Sequence, residues 1–239
     1  GKSGHGTATA GVAGAIGDNG LMQCGVSWDV PLMPIRVLSG ASATGTSVDV
    51  DSGIRLAVRS GARVLNLSFG FSTATVDNVV EQGLTLAQNA KIIVVASAGN
   101  NGTSPVIYPA SSTRTIAVGA TTSSNARASF SNYGAASGLN GLDVMAPGDS
   151  LNVLAMSSSE TSPRSGTSYS APIVAAMAAL VRARRPGLTP DKFLEYLRST
   201  ARDIGDAGYD IRTGAGLANL LRLMQVTTAS TSYGDSLPA

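Results

Sequence analysis

The sequence is nearly devoid of the residues that cross-link a chain or hold a transition metal. Among 239 residues there is one cysteine, Cys24, and one histidine, His5. A single cysteine excludes an internal disulfide, and we expect Cys24 to be a small buried packing residue. One histidine excludes the two-histidine zinc helix, and one histidine with one cysteine argues against a structural zinc site.

Charged and aromatic residues are also scarce, at 13% and 5%, and the formal net charge is only +2. Nucleic-acid binding is not expected, because no basic run could form a phosphate-neutralising patch. We interpret Arg182, Arg184 and Arg185 as a solvated helix end. No apolar run approaches the roughly 20 residues that span a bilayer. The 43% of hydrophobic residues suffices for one large core and predicts a single domain.

Apolar patterning in the first half of the chain alternates between strands and helices. Strands are predicted at 32–38, 63–69 and 91–98, and helices at 47–60 and 76–89. Such alternation predicts crossover units and a parallel sheet covered on both faces. Short strand-like pieces follow within 115–156, and then helices at 168–184, 190–200 and 216–225. The remainder, residues 226–239, is rich in Ser and Thr and reads as a tail or linker.

Three short motifs carry side chains suited to chemistry. His5 lies in GHGTATAG, where small residues allow a helix to start beneath an imidazole that titrates near neutrality. Ser168 lies in SGTSYSAP at a predicted helix start, where its own amide could bind an oxyanion. Asn100, in SAGNNG (97–102), follows a strand and carries an amide donor. Each has a plainer interpretation: a satisfied polar histidine, a helix cap at Thr167 or Ser168, and an Asn-Gly turn.

Together the motifs GHGTATAG, NLSFG, SAGNNG and SGTSYSAP resemble the subtilisin-like serine protease family (subtilases) in order and spacing. The resemblance runs from about Gly4 to Leu223 and includes RASFSNYG (127–134) and LDVMAPG (142–148). It implies an α/β, three-layer subtilisin-like fold with a mostly parallel central sheet flanked by helices. It also implies a serine endopeptidase, in which His5 is the general base, Ser168 the nucleophile and Asn100 an oxyanion-hole donor.

The same resemblance implies where a polypeptide substrate binds. One segment is an exposed strand edge that pairs with the extended substrate, and another forms a wall of the pocket for the residue before the scissile bond. These residues are Ser68, Phe69 and Gly70 for the edge, and Ala98 and Gly99 for the wall. No acidic residue occurs in 97–102 or 106–110. We therefore expect a preference for medium or large apolar side chains, with Ile107 narrowing the pocket.

The catalytic aspartate is the one element of the pattern that the sequence lacks. In the family it precedes the histidine by a few dozen residues, whereas only four residues precede His5. Asp51 begins a similar Asp-Ser-Gly tripeptide, but it follows His5 and falls in a helix, so we interpret it as non-catalytic. Residues 1–225 are thus expected to be an N-terminally incomplete peptidase domain, inactive and poorly folded alone. The missing N-terminal segment or a propeptide would be its partner.

The remaining expectations are coarser. No cofactor or catalytic metal is required, although Asp18 and Asn19 in the loop GDNG (17–20) correspond to a region where many relatives bind structural calcium. A simple turn is the preferred interpretation of that loop. The resemblance implies a monomer that is secreted or at the cell surface. The rival hypothesis is a catalytically inactive subtilisin-fold module that binds peptides or acts as a scaffold.

Overall fold

The computed structural model describes residues 4–21, 23–40, 43–135, 137–138, 140–155 and 161–229. Within these ranges the helices are α1 (His5–Gly14), α2 (Ser47–Arg59), α3 (Asn78–Asn89), α4 (Thr167–Arg184), α5 (Pro190–Thr200) and α6 (Leu220–Ala229). The strands are β1 (Val64–Leu67), β2 (Ile93–Ser97), β3 (Ile116–Thr121), β4 (Val144–Pro147), β5 (Leu151–Leu154) and β6 (Thr161–Arg164). No helix in the described ranges is long and apolar enough to cross a membrane.

Short polar side chains fix where three of the helices begin. Thr46 and Asp49 form a reciprocal capping box at the start of α2. The Asp77 carboxylate accepts from the first free amides of α3, and the Thr189 hydroxyl does so for α5. Each cap satisfies backbone donors that have no partner inside the helix. Local sequence therefore sets the register in which these helices present their apolar faces to the sheet.

The central sheet is parallel, with strand order β1-β2-β3-β4, and it is covered on both faces. Ile93 and Val95 of β2 pack into the cluster formed with α4 and α5. Val94 and Ala96, the alternate residues, pack into the cluster formed with α2 and α3. This alternation follows from the two-residue period of a strand. The expected three-layer α/β fold with a parallel sheet is confirmed.

Helix α4 is the central element of one layer, and α1 is attached to its first turns. The core-facing side chains of α4 contact all four strands of the sheet. Ala8 and Val12 of α1 share a small apolar cluster with Tyr169 of α4 and Val153 of β5. Gly11 allows close approach, since a Cβ there would lie 2.7 Å from a methyl carbon of Leu154. Through this packing the first residue of α1, His5, lies near the start of α4.

Several expectations about local structure were wrong. Residues 32–38 are not a strand, and Leu32 and Met33 are exposed. Ile35 and Val37 instead pack against the cluster that contains β1, α2 and α3. A strand requires a neighbour to satisfy its backbone groups, and within the described residues β1 pairs only with β2. Cys24 is exposed.

The carboxyl-terminal region also differs in detail. Arg182 is buried and donates to the backbone oxygen of Lys91, so it is not part of a solvated helix end. Helix α6 starts and ends four residues later than the predicted 216–225. Strand β6 was missed because its sequence, TSPR, is polar and contains proline; it pairs antiparallel with β5. Residues 230–239 of the predicted tail lie outside the described residues.

A buried carboxylate links the sheet to α5. Asp143, fully buried, accepts hydrogen bonds from the amide of Ala117, from the Asn140 side chain and from the Arg198 guanidinium. Burial raises the pKa of this carboxyl group, and Arg198 and the two N–H donors oppose that rise. The ion pair therefore links α5 to the first residues of β3 and β4. It stabilises this contact only while Arg198 supplies the positive charge.

Substitution of Arg198 by alanine tests this link. Arg198→Ala should lower the free energy of unfolding by about 3 kcal/mol, because a buried charge loses its partner. Lys192→Ala in the same helix removes an exposed pair with Glu195 and an ammonium contact with the Tyr196 ring, and it should cost less than about 1 kcal/mol. Urea unfolding followed by circular dichroism measures both. Equal losses would show that the buried pair contributes no more than a surface pair.

Candidate active site

Ser168 lies at the second position of α4, in a turn that requires glycine. The residue before the helix, Gly166, has φ of 156° and makes no side-chain cap, a conformation that other residues rarely adopt. Neither Thr167 nor Ser168 caps the helix, so the plainer interpretation of this motif is not supported. The Ser168 side chain is half-buried beside the free amides and positive end of a long helix dipole.

A proline inside α4 frees a backbone oxygen that fixes Ser168 against the sheet. Pro172 lies in the second turn and has no N–H to offer the carbonyl oxygen of Ser168 four residues earlier. The Ser68 hydroxyl donates to that oxygen at 2.8 Å. In return, Oγ of Ser168 donates to the Ser68 carbonyl oxygen at 3.2 Å. The end of β1 and the start of α4 are therefore joined by two hydrogen bonds at the candidate nucleophile.

Asn100 is oriented by the residue that precedes Ser168. Its Oδ1 accepts from the backbone amide of Thr167 at 2.8 Å and from the Thr167 hydroxyl at 2.9 Å. Because the oxygen is occupied, the Nδ2 group points the other way. A Cβ placed on Gly166 would lie 3.6 Å from this Nδ2, 3.8 Å from Oδ1 and 3.8 Å from the amide nitrogen of Ser168. The Asn100 side-chain amide and the Ser168 backbone nitrogen therefore lie on the same side of the turn at Gly166, where N–H donors could stabilise an oxyanion.

His5 is half-buried at the start of α1, and its ring lies 5.9 Å from the ring of Tyr169, the residue after Ser168. Burial lowers the pKa of His5 below its ordinary value. The imidazole is therefore neutral at pH 7 and able to accept a proton. The Ser168 hydroxyl is directed to the Ser68 carbonyl, so the side chain must rotate before it donates to His5. Such hydrogen bonds often tighten only when substrate is bound.

The predicted substrate-binding segments flank this point from two sides. Ser68, Phe69 and Gly70 continue from the carboxyl end of β1, and Ala98 and Gly99 continue from β2. Since β1 and β2 are parallel neighbours, both segments leave the sheet at the same edge. Gly99 is held to the start of α4, because its amide donates to the Thr167 hydroxyl at 3.2 Å. The structure therefore brings these segments together beside Ser168.

Asp51 and the GDNG loop lie apart from this constellation. Asp51 forms an ion pair with Arg55 in α2 at 2.6 Å and faces Gly83 of α3, whereas α1 and α4 pack together elsewhere. Asn19 uses its Oδ1 to accept from the amide of Leu21. In the described part of the chain no three His, Cys, Asp or Glu side chains form a group that could hold a metal ion.

Sequence reasoning missed two residues that position the site. Thr167 was read only as a possible cap, yet it orients Asn100. Asn132 accepts from the amide of Asn101 and donates to the carbonyl of Pro105, which fixes the loop after β2. Both lie in segments that resemble the family, SGTSYSAP and RASFSNYG. The resemblance of these segments was the available signal, but their contacts join residues more than 25 positions apart.

Comparisons with known proteins settle the family. The subtilase family model matches residues 1–216. This chain belongs to the subtilase family. It is 36% identical over 217 residues to Subtilisin Savinase of Lederbergia lenta, covering 91% of this chain and 76% of that protein. It is also 36% identical to M-protease of Shouchella clausii (strain KSM-K16), but spans only 54% of that protein's length.

Solved structures of two further subtilase-like proteases share this fold. The prenylagaramide maturation protease PagA superposes with a TM-score of 0.79 at 26% identity, over 93% of this chain and 82% of that one. The protease domain of PatA has a TM-score of 0.77 at 26% identity, over 95% and 81% of the two chains. These likenesses support the three-layer architecture and identify the chain as similar to serine proteases.

An isosteric change at Asn100 separates its two roles. Asn100→Asp keeps the Oδ1 atom that accepts both hydrogen bonds from Thr167 but replaces the Nδ2 donor by a second oxygen. We expect the fold to be retained and turnover to fall by about 10²–10³-fold, the usual effect of losing one oxyanion donor. Asn101→Asp, an exposed neighbour, is the control for added charge. Steady-state kcat with a peptide ester measures both, and equal activity of the two variants would contradict the assignment.

Proposed function

We propose that this chain is the catalytic core of a serine endopeptidase in which Ser168 is the nucleophile, His5 the general base and Asn100 an oxyanion donor. The observation that carries the proposal is that Thr167 occupies Oδ1 of Asn100 with two hydrogen bonds, which leaves the Nδ2 donor beside the turn that carries Ser168. A nucleophilic hydroxyl beside two N–H donors suits acyl transfer. The family to which the chain belongs supports the same chemistry.

The proposed reaction passes through an acyl-enzyme. Oγ of Ser168 attacks the peptide carbonyl carbon while His5 accepts the hydroxyl proton, and the carbonyl oxygen becomes an oxyanion between the two N–H donors. His5 then donates that proton to the leaving amine nitrogen as the C–N bond breaks. Water attacks the ester, again losing a proton to His5, and the Ser168 hydroxyl is restored. Each proton that His5 accepts is returned within the cycle.

The substrate is proposed to bind as an extended strand. Ser68, Phe69 and Gly70 follow β1, where the chain leaves the sheet. Within the described residues, no hydrogen bond uses the backbone N–H of Phe69 or Gly70. Free donors and acceptors on an extended segment are the features that let a peptide add as another strand. Opposite them, Ala98 and Gly99 bound the space for the side chain before the scissile bond.

The third catalytic group is proposed to be a carboxylate on a strand that pairs with the free edge of β1. In the described part of the chain β1 has β2 on one side and no strand on the other. Ile35 and Val37 pack against the same apolar cluster without belonging to the sheet. A parallel strand added along β1 would end beside Ser68, which is bonded to Ser168. Its last residues would then lie near His5.

The setting of the enzyme follows from its relatives. One of them, a protein of Bacillus subtilis (strain 168) that is 36% identical over 207 residues, is named as a cell wall-associated protease. We propose that this protein likewise acts outside the cytoplasm, as a monomer on polypeptides. The rival hypothesis, an inactive peptide-binding module, has no observation in its favour, because Ser168, Asn100 and Thr167 keep an arrangement that binding alone does not require.

Covalent labelling tests the nucleophile. With the N-terminal segment restored, a fluorophosphonate probe should label Ser168, because its hydroxyl is proposed to have a positioned base and oxyanion donors. Ser168→Ala should remove labelling and lower turnover to background. Ser170→Ala is the matched control, since Ser170 is buried and donates to the carbonyl of Pro147; it should still be labelled. Peptide mapping by mass spectrometry identifies the labelled residue. Label that persists in Ser168→Ala would contradict the assignment of Ser168 as the nucleophile.

The pH profile tests His5 and the missing carboxylate together. His5 works as a base only when neutral, and burial lowers its pKa, so the acid limb of kcat/KM should lie below pH 6.5. The same shift means that stability conferred by neutral His5 is present above pH 6.5 and is lost as the pH falls toward the folded pKa. A carboxylate beside His5 favours the imidazolium form and should move the acid limb of kcat/KM to higher pH.

To test the effect of a carboxylate, an apolar strand ending in Asp-Ser-Gly is fused ahead of Gly1 or added as a peptide, and turnover and its pH dependence are measured. The same strand with Asn in place of Asp is the control. The aspartate form should raise turnover by about 10⁴-fold over the asparagine form, because the carboxylate holds the imidazole in its working tautomer. An identical rate and acid limb for the two strands would exclude β1 as the place where the third group enters.

A further inference from the structure

The side chain of Ile107 occupies the space between the two segments that bound the cleft. A Cβ on Gly70 would lie 2.3 Å from Cδ1 and 2.9 Å from Cγ1 of Ile107. A Cβ on Gly99 would lie 3.0 Å from the same Cγ1. The two separations at Gly70 are too short for a real Cβ and the one at Gly99 is at the tight limit, so glycine allows both walls to approach this side chain closely. Ile107 therefore fills the gap that the two walls leave.

The backbone of Ile107 is fixed. Its amide donates to the carbonyl of Ala98 at 3.0 Å, and the next residue, Tyr108, is fully buried. The Tyr108 carbonyl accepts from the amide of Phe71 at 2.7 Å, and its hydroxyl donates to Glu81 at 3.2 Å. Ile107 is thus hydrogen-bonded to Ala98 in one wall, and Tyr108 is hydrogen-bonded to Phe71, which follows the other wall. The backbone that carries the Ile107 side chain is therefore held in place.

Ile107 is itself only half-buried, so its side chain forms part of the cleft surface rather than of the core behind it. We propose that Ile107 closes the bottom of this pocket and restricts the residue before the scissile bond to small side chains such as alanine and serine. This inference rests on the proposed function, because it takes the cleft beside Ser168 as the site for that residue. It replaces the expectation of medium or large apolar side chains.

The physical basis is volume. A phenyl or isobutyl group would need the space that the isoleucine side chain fills, and the alternative is displacement of a packed backbone. A single methylene that fails to fit in an apolar pocket changes kcat/KM by about 10–200-fold. Substrates that differ only in alanine or phenylalanine before the scissile bond should therefore differ by at least about tenfold, in favour of alanine.

The experiment compares the unmodified chain with Ile107→Gly and, as a matched control, with Ile211→Gly, which changes an isoleucine that is 66% exposed. Ile107→Gly should lower the alanine-to-phenylalanine ratio of kcat/KM at least about tenfold. Ile211→Gly should leave it unchanged. Fluorophosphonate labelling of Ser168 in each protein reports the nucleophile independently of this pocket. Labelled protein whose ratio is unaltered by Ile107→Gly would overturn the inference while leaving the proposed function intact.

A binding assay keeps the test valid even without turnover. Fluorescent product peptides that end in alanine or phenylalanine are titrated into Ser168→Ala and into the double variant Ser168→Ala/Ile107→Gly. The double variant should bind the phenylalanine peptide with affinity at least about tenfold higher than Ser168→Ala shows for it. This gain would uphold the pocket, and absence of labelling in the parent chain with its N-terminal segment restored would separately refute the nucleophile. Equal affinities in the two variants would refute the pocket.

Discussion

The packing of helix α4 across the sheet is the constraint on which the rest of the structure depends. Its side chains contact every strand from β1 to β4, so its first turn can occupy only one place. That turn carries Ser168 and meets the end of β1 through two hydrogen bonds with Ser68. The loop after β2 adds Asn100, which is bonded to Thr167. A shift of this helix would separate all of these groups at once.

Small residues make this packing possible. Gly166, directly before α4, adopts a conformation that other residues rarely adopt. Because Pro172 has no N–H, the carbonyl oxygen of Ser168 lacks its helical hydrogen bond and accepts one from the Ser68 hydroxyl instead. Because Gly70 and Gly99 have no side chains, Ile107 can pack closely against both segments. The composition, rich in Gly, Ala and Ser and poor in aromatics, is therefore tied to the geometry of the site.

The fold could be predicted in large part from local patterns. Helix α2, the core of strands β1 to β4 and the start of α4 all fall where periodicity or a motif placed them, since apolar spacing and capping are properties of neighbouring residues. The two failures that concern strands share one cause. Residues 32–38 have the composition of a buried strand, but strand formation depends on a partner elsewhere in the fold, and β6 forms from the polar sequence TSPR because β5 lies beside it.

By itself the sequence determined the family, the fold class and the three residues that the chemistry is proposed to use, because each motif is a short run of adjacent residues. Only the tertiary structure decided that Thr167 orients Asn100, that Asp51 pairs with Arg55 away from the site, and that Ile107 lies against both Gly70 and Gly99. Such contacts depend on side-chain direction and on packing between distant segments. No local pattern encodes them, since they exist only once the elements have assembled.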